Sequence, residues 1–299
     1  MTISEMIIPM SGGDMYAVHT VVPGAEHRPL VILCHGLMMN CALNPICGVA
    51  ECLSMAGYDT IRFDFRGSGR SRGDITKMTP LTESADLLDI IRYACSIVNA
   101  DRKIVLCGHS LGGLVSLLTA AGLYGAGGGP AAALTKTERE ALKSRIAGLA
   151  LLAPAVNAEA DSCAGKVGLE TFDPDNIPDL VEVWGSELGS GYFHAAQNLH
   201  TYDVISKYGG PVCVIMGERD RLVAPDLAER IAEALPQAEL HVIPRGDHLF
   251  SRNLRVRAAE IIQEFLQRLD VVLHLVKVRK RAFEQCHLGF CPNEIMVRI

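Results

Sequence analysis

Ser110, Asp220 and His248 are the residues of this 299-residue chain whose types and order could do chemistry together. A serine hydroxyl becomes a strong nucleophile when an imidazole takes its proton, and the imidazole needs a carboxylate to hold its tautomer. Ser110 sits in Gly108-His109-Ser110-Leu111-Gly112, a Gly-x-Ser-x-Gly match. In a glycine-rich chain five residues in that pattern are a weak signal. Here residues 103–107 read as a buried strand and residues 111–123 as a helix rich in Leu and Ala. On such a strand-to-helix turn the pattern is a nucleophile elbow, with glycines where a Cβ would clash and the hydroxyl raised beyond the sheet. The positive end of the following helix favours negative charge beside that hydroxyl.

The remaining elements must bring Asp220 and His248 to the same place. Residues 29–34 are continuously apolar, as expected for a parallel strand covered on both faces. They run into His35-Gly36-Leu37, where glycine lets the backbone turn and aim the Leu37 N–H into a site beside Leu111. A helix over 44–56 and a strand over 59–63 follow, then the glycine-rich loop 64–71. That loop lacks the Gly-Lys-Ser/Thr ending of a phosphate cradle and reads as a turn bracing the sheet. Residues 81–98 form an amphipathic helix, with Leu87, Leu88, Ile90, Ile91 and Ala94 inward and Asp86, Asp89 and Arg92 on the other side. Strands are expected again at 146–153, 211–216 and 239–243, and helices at 225–235 and 254–269. Alternating strand and helix predicts a mostly parallel, doubly wound α/β sheet. Asp220 and His248 each fall just past a late strand, at the edge that carries Ser110. Nucleophile, acid, histidine is the chain order such a sheet requires. His35 and His109 read as shaping the backbone turns, His241 as structural, and Asp247 and Glu218 as weaker rivals to Asp220.

Three segments depart from the alternation. Residues 124–145 read as a surface insertion ending in a charged helix. Residues 155–203, which include Phe172, Trp184, Tyr192, Phe193 and Tyr202, leave a strand's C-terminal end and read as an inserted lid over the ligand edge. Residues 270–299 form a tail of unassigned role, strand-like over 271–276 and basic over 277–281. The core is therefore placed at 1–154 and 204–269.

Composition narrows the classes. The net charge is -6 and the pI about 5.9, which argues against a nucleic-acid partner. No window has the roughly 18 apolar residues of a membrane span, and the first residues lack the pattern of a signal peptide. The ten cysteines form no CxxC pair and read as free thiols in a reducing cytoplasm. No His, Asp and Glu grouping has metal-ligand spacing, so neither metal nor cofactor is expected. The tail leaves a homodimer open.

The elbow, the His35-Gly36 turn, the 64–71 loop, the 217–220 turn and Gly246-Asp247-His248 together resemble the α/β-hydrolase superfamily over about residues 20 to 268. Ala153-Pro154-Ala155, Asp161, the 173–179 stretch, Gly191-Tyr192, the 202–206 stretch and residues 248–251 resemble bacterial cinnamoyl (feruloyl) esterases. That resemblance implies a serine carboxylesterase acting on hydroxycinnamate esters, with a lid aspartate and tyrosine at the ring hydroxyl, here Asp161 and Tyr192. A ring-binding glutamine of the family is replaced by Gly168, and the glutamine often found after the nucleophile by Leu111. The same triad would serve a short-chain acyl-ester, monoglyceride-type or peptide hydrolase. A non-catalytic binding relative is the remaining alternative, disfavoured because all three triad residues are present.

Overall fold

The computed structural model describes residues 1–10, 12–125 and 129–287, with side chains described as far as residue 275. Ser11 of the N-terminal turn, residues 126–128 of the expected insertion and residues 288–299 of the tail lie outside the described residues.

Strands β1 (Thr2–Ile8) and β2 (Met15–Val21) form an antiparallel hairpin. The alternating unit follows: β3 (Leu30–Cys34), α1 (Ile46–Met55), β4 (Thr60–Phe63), α2 (Pro80–Ile97), β5 (Ile104–His109) and α3 (Leu111–Leu123). Helix α4 (Lys136–Lys143) precedes β6 (Ile146–Leu152). Residues 155–203 hold α5 (Ala158–Cys163), the small hairpins β7 (Lys166–Val167) with β8 (Glu170–Thr171) and β9 (Leu180–Val183) with β10 (Ser186–Gly189), α6 (Ser190–Gln197), and the start of α7 (Thr201–Ile205). The chain ends its core with β11 (Val212–Gly217), α8 (Leu227–Ala234), β12 (Ala238–Ile243) and α9 (Leu254–His287).

Eight strands pair in the order β1-β2-β4-β3-β5-β6-β11-β12. From β4 to β12 every pairing is parallel, and only the β1–β2 and β2–β4 pairings are antiparallel. This is the α/β-hydrolase fold. Strands β3, β5 and β11 are buried along their whole length, because helices cover both faces. The chain goes from β3 to β4 on one side and resumes with β5 on the other. The β3/β5 boundary is therefore the switch point, where the crevice beyond the strand ends is open to a ligand.

Three features differ from the sequence expectation. Asp86 does not face water: it is buried, receives the Arg66 backbone N–H at 2.8 Å and pairs with its guanidinium at 2.9 Å. The 124–145 segment is more than a surface excursion, since Ala131, Leu134 and Leu142 join the main apolar core, and Thr135 and Glu138 cap α4 reciprocally. Residues 271–276 continue α9 and form no strand. An established helix adds residues at little cost, whereas a strand there would need a partner. Among the described residues no helix is long and apolar enough to cross a membrane.

Candidate active site

Ser110 is built into the turn from β5 to α3. Its φ of 53° and ψ of -120° form a strained conformation for a residue with a side chain. Two glycines make the turn feasible. A Cβ at Gly108 would lie 2.2 Å from the Gly112 carbonyl oxygen, and one at Gly112 would lie 2.3 Å from that of His35. The Ser110 N–H donates to Leu152 and its carbonyl accepts from Ala155, which fixes the elbow to β6 and to the start of the excursion.

His248 lies in the loop after β12 and Asp220 in the loop after β11. The ring Nδ1 of His248 is 2.7 Å from Asp220 Oδ2, and the Asp220 side chain is fully shielded from solvent. The other Asp220 oxygen accepts the N–H groups of Leu222 and Val223, each at 2.9 Å. A carboxylate so held is a rigid acceptor for an Nδ1–H. Its rivals are engaged elsewhere: Asp247 accepts the Ser251 N–H at 2.8 Å and Glu218 the Arg245 N–H at 2.7 Å.

His109 and His35 hold the backbone around these groups. His109 Nε2 is 2.8 Å from the carbonyl oxygen of His248, and burial, with the neighbouring His248 adding to it, pushes its pKa down to about 3. It is therefore a neutral donor that fixes the histidine loop. His35 Nδ1 is 2.9 Å from the Gly36 carbonyl, and its Nε2 accepts the Phe65 N–H at 3.1 Å. Burial also lowers the His35 pKa. The ring thus pins the turn that presents Leu37. Gly36 is pressed against the elbow: a Cβ there would lie 3.1 Å from both His109 Nδ1 and Ser110 Cβ.

Ser110, His248, Leu37, Leu111, Asp161 and Tyr192 line one narrow cavity of about 50 Å³. The structure thus brings together every residue the sequence singles out, with Asp220 behind His248. The Leu111 N–H belongs to the first turn of α3, where no preceding turn supplies an acceptor. Asp161 accepts from Asn157 Nδ2 at 2.6 Å, and that nitrogen also reaches the Leu222 carbonyl at 3.0 Å. Burial raises the Asp161 pKa, and burial likewise raises that of Tyr192.

Other residues at the site were not singled out beforehand. Trp184 lines both the narrow cavity and a wider groove of about 650 Å³ that opens beside Ser110. A Cβ on Gly168 would come within 2.4 Å of the Trp184 ring, and Gly168 has a φ of 60°. The indole therefore occupies the space that a longer side chain at position 168 would need. The wider groove is also lined by Met38, Met39, Arg219 and Arg221. Only contact across the fold joins these residues; the advance signal was that Trp184, the chain's one tryptophan, falls among the aromatics of the 155–203 segment.

Two features lie away from this edge. A cavity of about 810 Å³ opens under α9 at the opposite edge of the sheet, where Tyr58 donates to Asp270 at 3.1 Å. Donor atoms of Cys213, Glu239 and His241 come within 4.8 Å of one another, a grouping invisible in the spacing because it spans β11 and β12. Burial raises the Cys213 thiol pKa and Arg268 pairs with Glu239, so neither group is presented as an open ligand. His241 is half-buried beside Glu239.

A family model described as the alpha/beta hydrolase family matches residues 31–260, and the chain belongs to that family. Among solved structures it is similar to Est1E from Butyrivibrio proteoclasticus with ferulic acid bound. The identity is 27%, the TM-score 0.75, and the match covers 88% of this chain and 98% of that one. It shares its fold with a monoacylglycerol lipase of Paleococcus ferrophilus at 19% identity and TM-score 0.61, covering 85% of this chain and 99% of that one. A curated relative, an uncharacterized 31.7 kDa protein of the traX-finO intergenic region of Escherichia coli, is 36% identical over 102 residues. That match spans 31% of this chain and 32% of the relative.

Proposed function

We propose that this chain is a serine carboxylesterase that hydrolyses hydroxycinnamate esters through an acyl-enzyme on Ser110. The observation that carries the reading is the Asp220–His248 bond of 2.7 Å beside a strained elbow serine in the same cavity. His248 takes the Ser110 proton as Oγ attacks the ester carbonyl, and returns it to the departing alcohol. Asp220 orients the imidazole and stabilises its charged form. The N–H groups of Leu37 and Leu111 stabilise the tetrahedral oxyanion, each worth about 3 kcal/mol by comparison with known holes. Residues 155–203 act as the lid, and the acyl group enters at the narrow cavity beneath it, which must open beyond its volume of about 50 Å³ to admit the ring.

Two lines support the hydroxycinnamoyl assignment: the likeness to an esterase with ferulic acid bound, and a cavity that pairs apolar walls with Asp161 and Tyr192. The test compares kcat/KM on methyl ferulate, a short aliphatic ester and an aminoacyl anilide, in the wild type and in Ser110→Ala. Methyl ferulate should lead, and the variant should lose several orders of magnitude on it while keeping its fold. A preference for the aliphatic ester would assign the chain to short-chain or monoglyceride-type hydrolysis. Full activity of Ser110→Ala would overturn the serine mechanism.

A further inference from the structure

The groove of about 650 Å³ beside Ser110 is lined by two unlike sets of residues. One is apolar, with Met38, Met39 and Leu249. The other carries Arg219 and Arg221, which flank Asp220 in the loop after β11. Both arginines are exposed, and among the described residues neither guanidinium has a protein acceptor. Asp247 is the only carboxylate among the described lining residues, and its Oδ1 already accepts the Ser251 N–H. Two cations without a protein partner thus line the same groove as the reacting serine, with one carboxylate among its other lining residues.

The chemistry decides which half of an ester lies there. When the Ser110 Oγ–acyl bond forms and the acyl–oxygen bond breaks, the departing alkoxide takes from His248 the proton that Ser110 gave up. The alcohol must therefore lie against the histidine loop. Leu37, Ser110, Trp184 and His248 line both spaces, but the neighbours of His248 in its loop, Asp247 and Leu249, line only the wide groove, whereas Leu111 and Asp161 line only the narrow cavity. We infer that the wide groove is the alcohol subsite, and that Arg219 and Arg221 select esters whose alcohol carries a carboxylate. A guanidinium binds a carboxylate through two parallel N–H donors, and two such groups lining one groove hold it with direction as well as charge. The inference rests on Ser110 as the nucleophile but not on the acyl group being hydroxycinnamoyl.

Four esters test it: the feruloyl and butanoyl esters of γ-hydroxybutyrate, and the same two acyl groups on γ-hydroxybutyramide, its neutral isostere. In the wild type the acid should exceed the amide in kcat/KM by about tenfold at low salt, a preference that shrinks in about 0.5 M sodium chloride. Arg219→Gln with Arg221→Gln should bring the ratio close to one, and the paired lysine variant should keep part of it. A wild-type ratio near one for both acyl groups, or a ratio that survives the glutamine variant, overturns the inference. Feruloyl esters that do not react, beside butanoyl esters that keep the acid preference, would retain the subsite and overturn the hydroxycinnamoyl reading. Failure of all four esters would overturn both.

Discussion

At the scale of single residues, the site separates groups that look alike in sequence by what each already bonds. Asp220 and Asp247 both lie near His248, but only Asp220 reaches its Nδ1, while Asp247 caps a turn through the Ser251 amide. Asp220→Asn should therefore lower kcat by about 10⁴-fold, because an amide at that position turns the imidazole to the wrong tautomer. Asp247→Asn should lose far less, and steady-state rates on methyl ferulate compare the two; a dead Asp247→Asn beside an active Asp220→Asn would reverse the assignment. Asp161 poses a question of specificity. It is half-buried, lines the narrow cavity and is positioned by Asn157. Asp161→Ala should raise KM for ferulate and caffeate esters by the equivalent of about 1–3 kcal/mol, and for cinnamate esters, which lack the ring hydroxyl, much less. Equal effects on the two classes would remove Asp161 from ring recognition.

At the scale of elements, α2 shows how a buried surface can carry acids. Its Thr79 cap and Pro80 start are local signals, and its apolar face packs as the periodicity requires. Glu83 and Asp86 nevertheless point inward. Asp86 is met by Arg66 from the 64–71 loop, whereas Glu83 is buried with its Oε2 unpartnered. Burial first, and the nearby Asp86 second, raise the Glu83 pKa well above the ordinary value. A carboxyl whose pKa is raised on folding stabilises the protein most below its unfolded pKa, about 4.3, and that contribution is lost as pH rises through the folded value. Glu83→Gln keeps the shape and removes the titration. Its stability relative to the wild type should therefore increase with pH, as read from denaturant midpoints between pH 5 and pH 8. A difference constant across that range would show that Glu83 does not titrate on folding.

At the scale of the whole molecule, one buried ion pair joins segments far apart in the chain. Arg102 donates to Asp59 at 2.8 Å and to the carbonyls of Arg28 and Ala25, each at 2.9 Å, and Asp59 also receives the Val22 N–H. These contacts lie at the N-terminal ends of β3, β4 and β5, at the opposite edge of the sheet from Ser110. Arg102→Ala leaves a carboxylate buried without its cation and should cost about 3–5 kcal/mol of unfolding free energy, measured by denaturant titration. A loss under about 1 kcal/mol would mean that water replaces the guanidinium. The remaining variant should hydrolyse esters normally at temperatures where it stays folded, because the pair holds the frame and does not touch the site.

The sequence by itself determined the elbow, the alternation that makes the sheet, and the identity of the Asp220–His248 pair. Each is encoded locally: a strand, a tight glycine turn and a helix are adjacent in the chain, and parallel strands put every such turn at one edge. Only the tertiary structure decided what lines the two cavities, because Trp184, Arg219, Arg221 and Met38 meet across loops whose course no periodicity records. It likewise decided that Asp86 is buried, since its partner Arg66 comes from 20 residues away, in a loop. It also decided that residues 271–276 are helical. Their β-branched bias is worth tenths of a kcal/mol per residue, less than the advantage of extending α9, which is already nucleated and packed against the sheet.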